Sequence, residues 1–145
     1  MKKILITLTL FISALSYAKT KSISQIDGCP KGTTSSYLCL SNPQPGDDVD
    51  AAGKGLFEKV QICTAGKNDI MTLVKHTSNE VAVVENVKRY SKAGSLVFSA
   101  EVDGINIDLS IVTNLSQKTQ AAKVRMQAGS VKFQSSMACS LILSK

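Results

Sequence analysis

Tryptophan is absent from the 145-residue chain, and aromatic residues make up only 5% of it. Proteins that bind sugars or single-stranded nucleic acids usually stack their ligands on aromatic side chains, so this composition disfavours both classes. The dense Lys and Arg clusters of nucleic-acid-binding proteins are also missing. We therefore expect no nucleic acid among the partners.

Histidine occurs only once, as His76, and this scarcity limits catalytic and metal chemistry. A hydrolytic triad needs a nucleophile, a base and an orienting group, and no G-x-S-x-G nucleophile elbow occurs. No two cysteines have the CxxC spacing that zinc sites use. We expect His76 to be a surface residue beside a turn, and the protein to be a non-enzyme without catalytic residues, metal or cofactor.

Acidic residues give two weaker candidates for a site. Glu101 and Asp108 fall diagonally on one polar strand face, which a solvated sheet surface explains better than a glycosidase pair. The run Asp47–Asp50 resembles a calcium loop, but Ala52 and Lys59 stand where the EF-hand pattern needs ligands. We interpret that run as a polar turn.

Only one long apolar run is present, Ile4–Leu15, and it lies at the start of the chain. Lys2 and Lys3 precede it, and the small residues of Ser16–Ala18 follow it, so residues 1–18 are predicted to be a bacterial-type signal peptide. No cysteine follows directly, so no lipid attachment is expected. Because no second run reaches membrane-spanning length, we expect a secreted or periplasmic protein without a transmembrane segment.

Removal of 18 residues from 145 leaves 127, enough for one domain with its own core. The whole chain has 17 Lys and Arg against 11 Asp and Glu, a net charge of +6. Loss of the two leader lysines lowers it to +4. The mature protein is thus mildly basic.

All four cysteines lie in the mature chain, and an even number in an oxidising compartment predicts disulfides. They are Cys29, Cys39, Cys63 and Cys139. We favour the pairs Cys29–Cys39, across a compact turn, and Cys63–Cys139, between the first and last predicted strands. The pairing stays open, because Cys39 could also reach the sheet.

The mature chain divides into two parts. Residues 19–55, rich in Gly, Pro, Ser and Asp, predict an irregular N-terminal arm stapled by a disulfide. Residues 56–145 predict an all-β domain. Its expected strands are about eight, at roughly 57–64, 69–76, 79–90, 95–103, 104–113, 119–128, 130–135 and 137–143. Short connections make them an antiparallel meander, which must close into a barrel or fold into a two-sheet sandwich.

Turn signals set the register of the hairpins. The Asp103–Gly104 turn places Val102 opposite Ile105, and apolar residues then face apolar ones along both strands. Turns are also expected at Thr77–Ser78, Ala93–Gly94 and Ala128–Gly129.

A turn at Ala128–Gly129 places Arg125 opposite Lys132, with Lys123 on the same polar face. Like charges opposite each other are mildly unfavourable and unnecessary for folding. Lys123, Arg125 and Lys132 are therefore our candidate anion-binding patch.

These observations favour an exported, disulfide-stabilised, non-enzymatic β domain that binds a macromolecule or an envelope component. Two alternatives stay open. One is an inhibitor of an exported hydrolase, and the other is a carrier that holds a small apolar ligand in a barrel lumen.

Overall fold

The structure is a computed structural model that describes residues 26–66, 68–76, 78, 80–113 and 117–143. Within these ranges the strands are β1 (Ser35–Ser41), β2 (Phe57–Thr64), β3 (Asp69–Lys75), β4 (Val81–Lys92), β5 (Ser95–Val102), β6 (Ile105–Val112), β7 (Thr119–Ala128) and β8 (Val131–Leu143). The predicted signal peptide, residues 1–18, lies outside the described residues. Among the residues that are described, no helix has the length and hydropathy needed to cross a bilayer.

The strands form one closed antiparallel barrel. Each strand pairs with the next along the chain, and β1 also pairs with β8. The predicted fold class is confirmed, and the sheet closes as a barrel instead of splitting into a sandwich.

The turn between β5 and β6 shows why the hairpin register could be predicted. Asp103 and Gly104 have φ values of 53° and 77°, as a two-residue turn matched to strand twist requires. Val102 pairs with Ile105, and the predicted register is confirmed along both strands.

The register predicted for the last hairpin is wrong: the turn lies one residue later, and each β7 residue pairs with a residue two positions further along β8. Its loop consists of Gly129 and Ser130, so that Ala128 pairs with Val131. Gly129 has a φ of 61°, which glycine adopts more easily than alanine does. Alanine can also take the first position, as Ala93 does with a φ of 50° between β4 and β5, so the turn residues alone did not distinguish the two placements.

Strand β1 lies within the segment that was expected to be irregular. Residues Ser35–Ser41 pair with β2 on one side and with β8 on the other. The alternation of apolar and polar residues along β1 is hard to recognise in the sequence, because Ser36 is buried although it faces outwards. The segments predicted as 130–135 and 137–143 form a single strand, β8.

Apolar side chains fill the barrel interior and form one continuous cluster. Its largest members with less than 2% exposure are Phe57, Phe98, Ile62, Met71, Leu73, Ile107, Leu109, Ile111, Met137, Val60 and Val84. Tyr37 packs against Phe98, with ring centroids 5.7 Å apart. Alternate residues of each strand therefore face a packed core, and the others face outwards.

All four cysteines form disulfides, but the favoured pairing is wrong. The bonds are Cys39–Cys139 and Cys29–Cys63. Cys39 and Cys139 belong to the interior cluster, whereas Cys63 belongs to a separate cluster on the outer face. A bond between Cys63 and Cys139 would have to join opposite faces of the sheet, which the alternation of side chains forbids.

Residues 26–34, which precede β1, pack on the outside of β2 and β3. Ile26, Cys29 and Cys63 form a small buried cluster, against which Ile70 packs. The side-chain amide of Gln61 donates to the Asp27 carbonyl at 2.8 Å, and its burial makes this hydrogen bond more valuable. A disulfide and a buried amide thus hold this segment against β2.

Replacing both cysteines of either disulfide by alanine should destabilise the protein, and the loss should be larger for one disulfide than for the other. Cys39–Cys139 joins residues 100 apart and Cys29–Cys63 residues 34 apart. Chain entropy then predicts losses of about 4.7 and roughly 3.8 kcal/mol, respectively. Denaturant unfolding without reductant measures both losses. Peptide mapping of the unreduced protein tests the pairing, and a Cys29–Cys39 peptide would contradict it.

Gly55 should not tolerate even one added methyl group. A Cβ at this position would lie 3.3 Å from Ser135 Cβ and would overlap Ser135 Oγ. We expect Gly55→Ala to lower the free energy of unfolding by about 1–3 kcal/mol through overpacking. Combining it with Ser135→Gly should restore part of the loss in a double-mutant cycle. Simple additivity of the two losses would rule out this contact as the cause.

Candidate binding groove on the outer face

The loop between β1 and β2 takes the place of a strand beside the first half of β8. The Asp47 carboxylate accepts hydrogen bonds from the backbone N–H groups of Gln44 and Ser136, both at 2.8 Å. The Asp48 carboxylate accepts one from the Gln134 N–H at 2.8 Å. The loop therefore covers a strand edge that β1 leaves unpaired, and it stands as a wall beside the outer face.

The run Asp47–Asp50 thus builds local structure. Asp50 accepts hydrogen bonds from the backbone N–H groups of Ala52 and Lys54, each at 2.9 Å. Among the described residues, no group of His, Cys, Asp or Glu has the arrangement of a metal site. These carboxylates organise the loop by accepting backbone hydrogen bonds.

Hydrogen bonding shifts the titration of Asp47. Partial burial by itself raises the pKa of this carboxyl group. The N–H groups of Gln44 and Ser136 and the Ser136 hydroxyl donate to the ionised form and outweigh burial. The pKa of Asp47 therefore lies below its usual value of 3.8.

A groove of about 740 Å³ lies between this loop and the hairpin of β4 and β5. Pro45 lies on the loop side, and Tyr90 and Lys92 lie on the hairpin side. Outward-facing residues of β6 and β7 form the floor. They are Asp108, Ser110, Val112, Ala121, Lys123 and Arg125.

A second hollow of about 340 Å³ continues the first along β6 and β7. The two share Asp108 and Arg125, and the second reaches Gln127 and Lys132. We call both hollows together the β6–β7 groove. From Ala121 to Gln127 it is roughly 20 Å long, at about 3.3 Å per residue.

The structure brings the three predicted cationic residues to this groove. Lys123 and Arg125 line the first hollow, and Arg125 and Lys132 line the second. The predicted pairing of Arg125 with Lys132 is wrong, because Arg125 pairs with Gln134. The Arg125 guanidinium donates to the Gln134 side-chain oxygen at 3.2 Å. No like-charge clash exists at that position.

Acidic residues in the groove are not equally available to a ligand. Asp47 and Asp48 already accept hydrogen bonds from β8. Asp108 lies on the floor opposite Arg125 and opposite Ser99, whereas Glu101 pairs with Asn106. The two predicted carboxylates stay diagonal, with Asp108 facing a cation.

One end of the groove, which we call the apolar end, exposes two large apolar side chains beside Lys92, and no local sequence pattern indicates them. Tyr90 and Val112 are 45% and 52% exposed. Val97 faces outwards beside Tyr90, yet it is only 5% exposed. Tyr90 and Lys92 reach the groove only because β4 lies two strands from β6, so no local pattern could reveal them.

A half-buried ion pair near the β2–β3 connection was not predicted either. The Arg89 Nε lies 3.5 Å from Asp69 Oδ2, and the Asp69 side chain is only 3% exposed. Burial raises the pKa of Asp69, and the charge of Arg89 offsets part of that increase. Arg89 also donates to the Gly66 carbonyl at 3.3 Å, so the pair holds this connection in place.

Comparison of the chain with protein-family models, curated proteins and solved structures gave no match. The geometry and charge of the β6–β7 groove are therefore the observations that bear on function.

Neutralising Asp47 should make stability less dependent on pH in the acid range. Because its folded pKa is lowered, the carboxylate stabilises the fold above about pH 5, and this contribution is lost as the pH falls through the folded pKa. We expect Asp47→Asn to lose about 1–2 kcal/mol at pH 7 and much less at pH 2.5.

Urea unfolding at the two pH values measures this difference. The control is Asp103→Asn, at an exposed turn position with a φ that asparagine tolerates. It should change stability by less than about 0.5 kcal/mol at either pH. An equal loss for Asp47→Asn at both pH values would contradict the role of the ionised carboxylate.

Proposed function

We propose that this protein is an exported, non-enzymatic domain that binds an anionic macromolecule through the β6–β7 groove. The observation that carries the proposal is the position of Lys123, Arg125 and Lys132. All three line one groove on the outside of a barrel whose interior is packed. Lys92 adds a fourth cation from the hairpin wall.

Export is supported by the state of the cysteines. Both disulfides join residues that are at most 2% exposed, which suits a protein that folds in an oxidising space outside the cytoplasm. The leader-like residues 1–18 favour the same interpretation. We place the mature protein in the periplasm or the external medium.

The chemistry of the groove favours binding over catalysis. All four cysteines are in disulfides, and the only histidine, His76, follows β3 and is not among the residues that line the groove. The groove therefore offers neither a thiol nor an imidazole for nucleophilic or general-base chemistry. Its positive side chains instead favour electrostatic recognition, which supplies specificity and speeds association.

The two alternatives differ in how well they agree with the fold. A lumen carrier needs interior space, whereas Phe98, Met71, Leu109 and their neighbours occupy the inside of this barrel. Inhibition of an exported hydrolase is a narrower form of groove binding, in which the macromolecule is an enzyme with an acidic surface. We keep the broader proposal.

Neutralising the three groove cations should greatly weaken binding to polyanions. Mature protein is tested against polyphosphate, poly-glutamate and anionic phospholipid vesicles, at two salt concentrations. We expect the wild type to bind at least one probe in a salt-sensitive manner. The variant Lys123→Gln/Arg125→Gln/Lys132→Gln should bind it at least tenfold more weakly, about 1.4 kcal/mol.

The control variant removes the same charge elsewhere. Lys31, Lys54 and Lys118 are exposed and do not line the groove. Their replacement by Gln should change affinity less than about threefold. Equal losses in both variants would assign binding to net charge alone and overturn the proposal, as would the absence of binding to any probe.

A further inference from the structure

We infer that the occupant of the β6–β7 groove is an extended polypeptide segment with acidic side chains at alternate positions. This inference rests on the proposed function and adds the chemical class of the partner. Three features of the groove lead to it: its shape, the spacing of its cations and its mixed lining.

The shape selects a linear chain over a membrane surface. The first hollow has walls on two sides, formed by the β1–β2 loop and by the β4–β5 hairpin. Its floor consists of the outward faces of β6 and β7, with Val97 of β5 on one side and Ser136 of β8 on the other. A bilayer surface cannot enter such a trough, whereas a single extended chain can. Over roughly 20 Å, about six residues of an extended peptide fit.

The spacing of the cations matches an extended peptide. Lys123 and Arg125 are two residues apart on β7, and Lys132 lies on β8 opposite Gln127, two residues further along. Cationic positions therefore recur about every 7 Å along the groove. Alternate side chains of an extended peptide point to one side with the same repeat. Acidic residues at positions i, i+2 and i+4 would meet all three cations.

The lining disfavours a uniform polyanion such as polyphosphate. Asp108 lies in the floor directly opposite Arg125, where its carboxylate repels continuous negative charge. The same carboxylate can accept hydrogen bonds from peptide N–H groups. Ser110 on the floor and Asn106 at the far end add neutral partners for a backbone.

The apolar end adds a further requirement on the peptide sequence. Val112 lies one pleat beyond Ser110, whose partner on β7 is Lys123. Tyr90 and Val97 lie in the cross-strand row of Ser110, and Lys92 lies in the row of Val112. A side chain two positions beyond the first acidic residue would therefore lie over Val112, between the Tyr90 ring and the aliphatic stem of Lys92, and an apolar residue fits there.

The test uses labelled peptides and mature protein. The probe peptide has the pattern Leu-Thr-Glu-Thr-Glu-Thr-Glu, and its reversed sequence covers both chain directions. The matched control peptide has the same composition with its three Glu contiguous. Fluorescence anisotropy should show at least fivefold tighter binding for one alternating peptide than for the control. Lys123→Gln, Arg125→Gln and Lys132→Gln should each weaken the binding at least threefold.

Tyr90→Ala tests the apolar end separately. Tyr90 is 45% exposed, so the fold should tolerate its loss, and thermal unfolding verifies this. The variant should weaken binding of the Leu-containing peptide about fivefold. It should leave the affinity for a Ser-for-Leu peptide unchanged. Equal effects on both peptides would overturn the assignment of this end.

Other outcomes separate this inference from the proposed function. Groove-dependent binding of polyphosphate or vesicles, without a preference for alternating peptides, would overturn the inference and leave the proposed function standing. No groove-dependent binding of any anionic probe would overturn both.

Discussion

The pairing of β1 with β8 turns a series of hairpins into a closed barrel, and Cys39–Cys139 locks that pairing from the inside. The strands from β2 to β8 are connected by short turns and could pair locally. Their ends meet only because β1 lies between β2 and β8. The bond joins residues 100 apart, so it removes much of the freedom that an open sheet would keep.

Closure also divides the side chains into an inward-facing set and an outward-facing set. Inward-facing residues fill the lumen, which leaves binding to the outer face. Because β1 ends before the first half of β8, that half needs another cover, and Asp47 and Asp48 supply it through hydrogen bonds to β8. The loop that protects the edge also forms a wall of the β6–β7 groove. Structural protection and the candidate site thus depend on the same two carboxylates.

Part of the site could be predicted, since alternation along one strand is local. Lys123 and Arg125 are two residues apart, and any strand over this segment places them on one face. Lys132 lies on the same surface although its predicted register was wrong, because it also faces outwards on the adjacent strand, β8. Tyr90 could not be predicted, because it arrives from a distant strand. Its position depends on which strands become neighbours after closure.

The strand segments after residue 56 and the Asp103–Gly104 register follow from turn residues and period-two hydrophobicity, which act between residues close in the chain. Strand β1 and the disulfide pairing do not follow from these local signals. Both depend on which face a residue presents and on which strands meet at the seam, and these are properties of the closed sheet. Spacing along the chain left Cys63 and Cys139 as a plausible pair, but folding placed them on opposite faces. Local patterns can specify hairpins, whereas contacts across the barrel need the barrel itself.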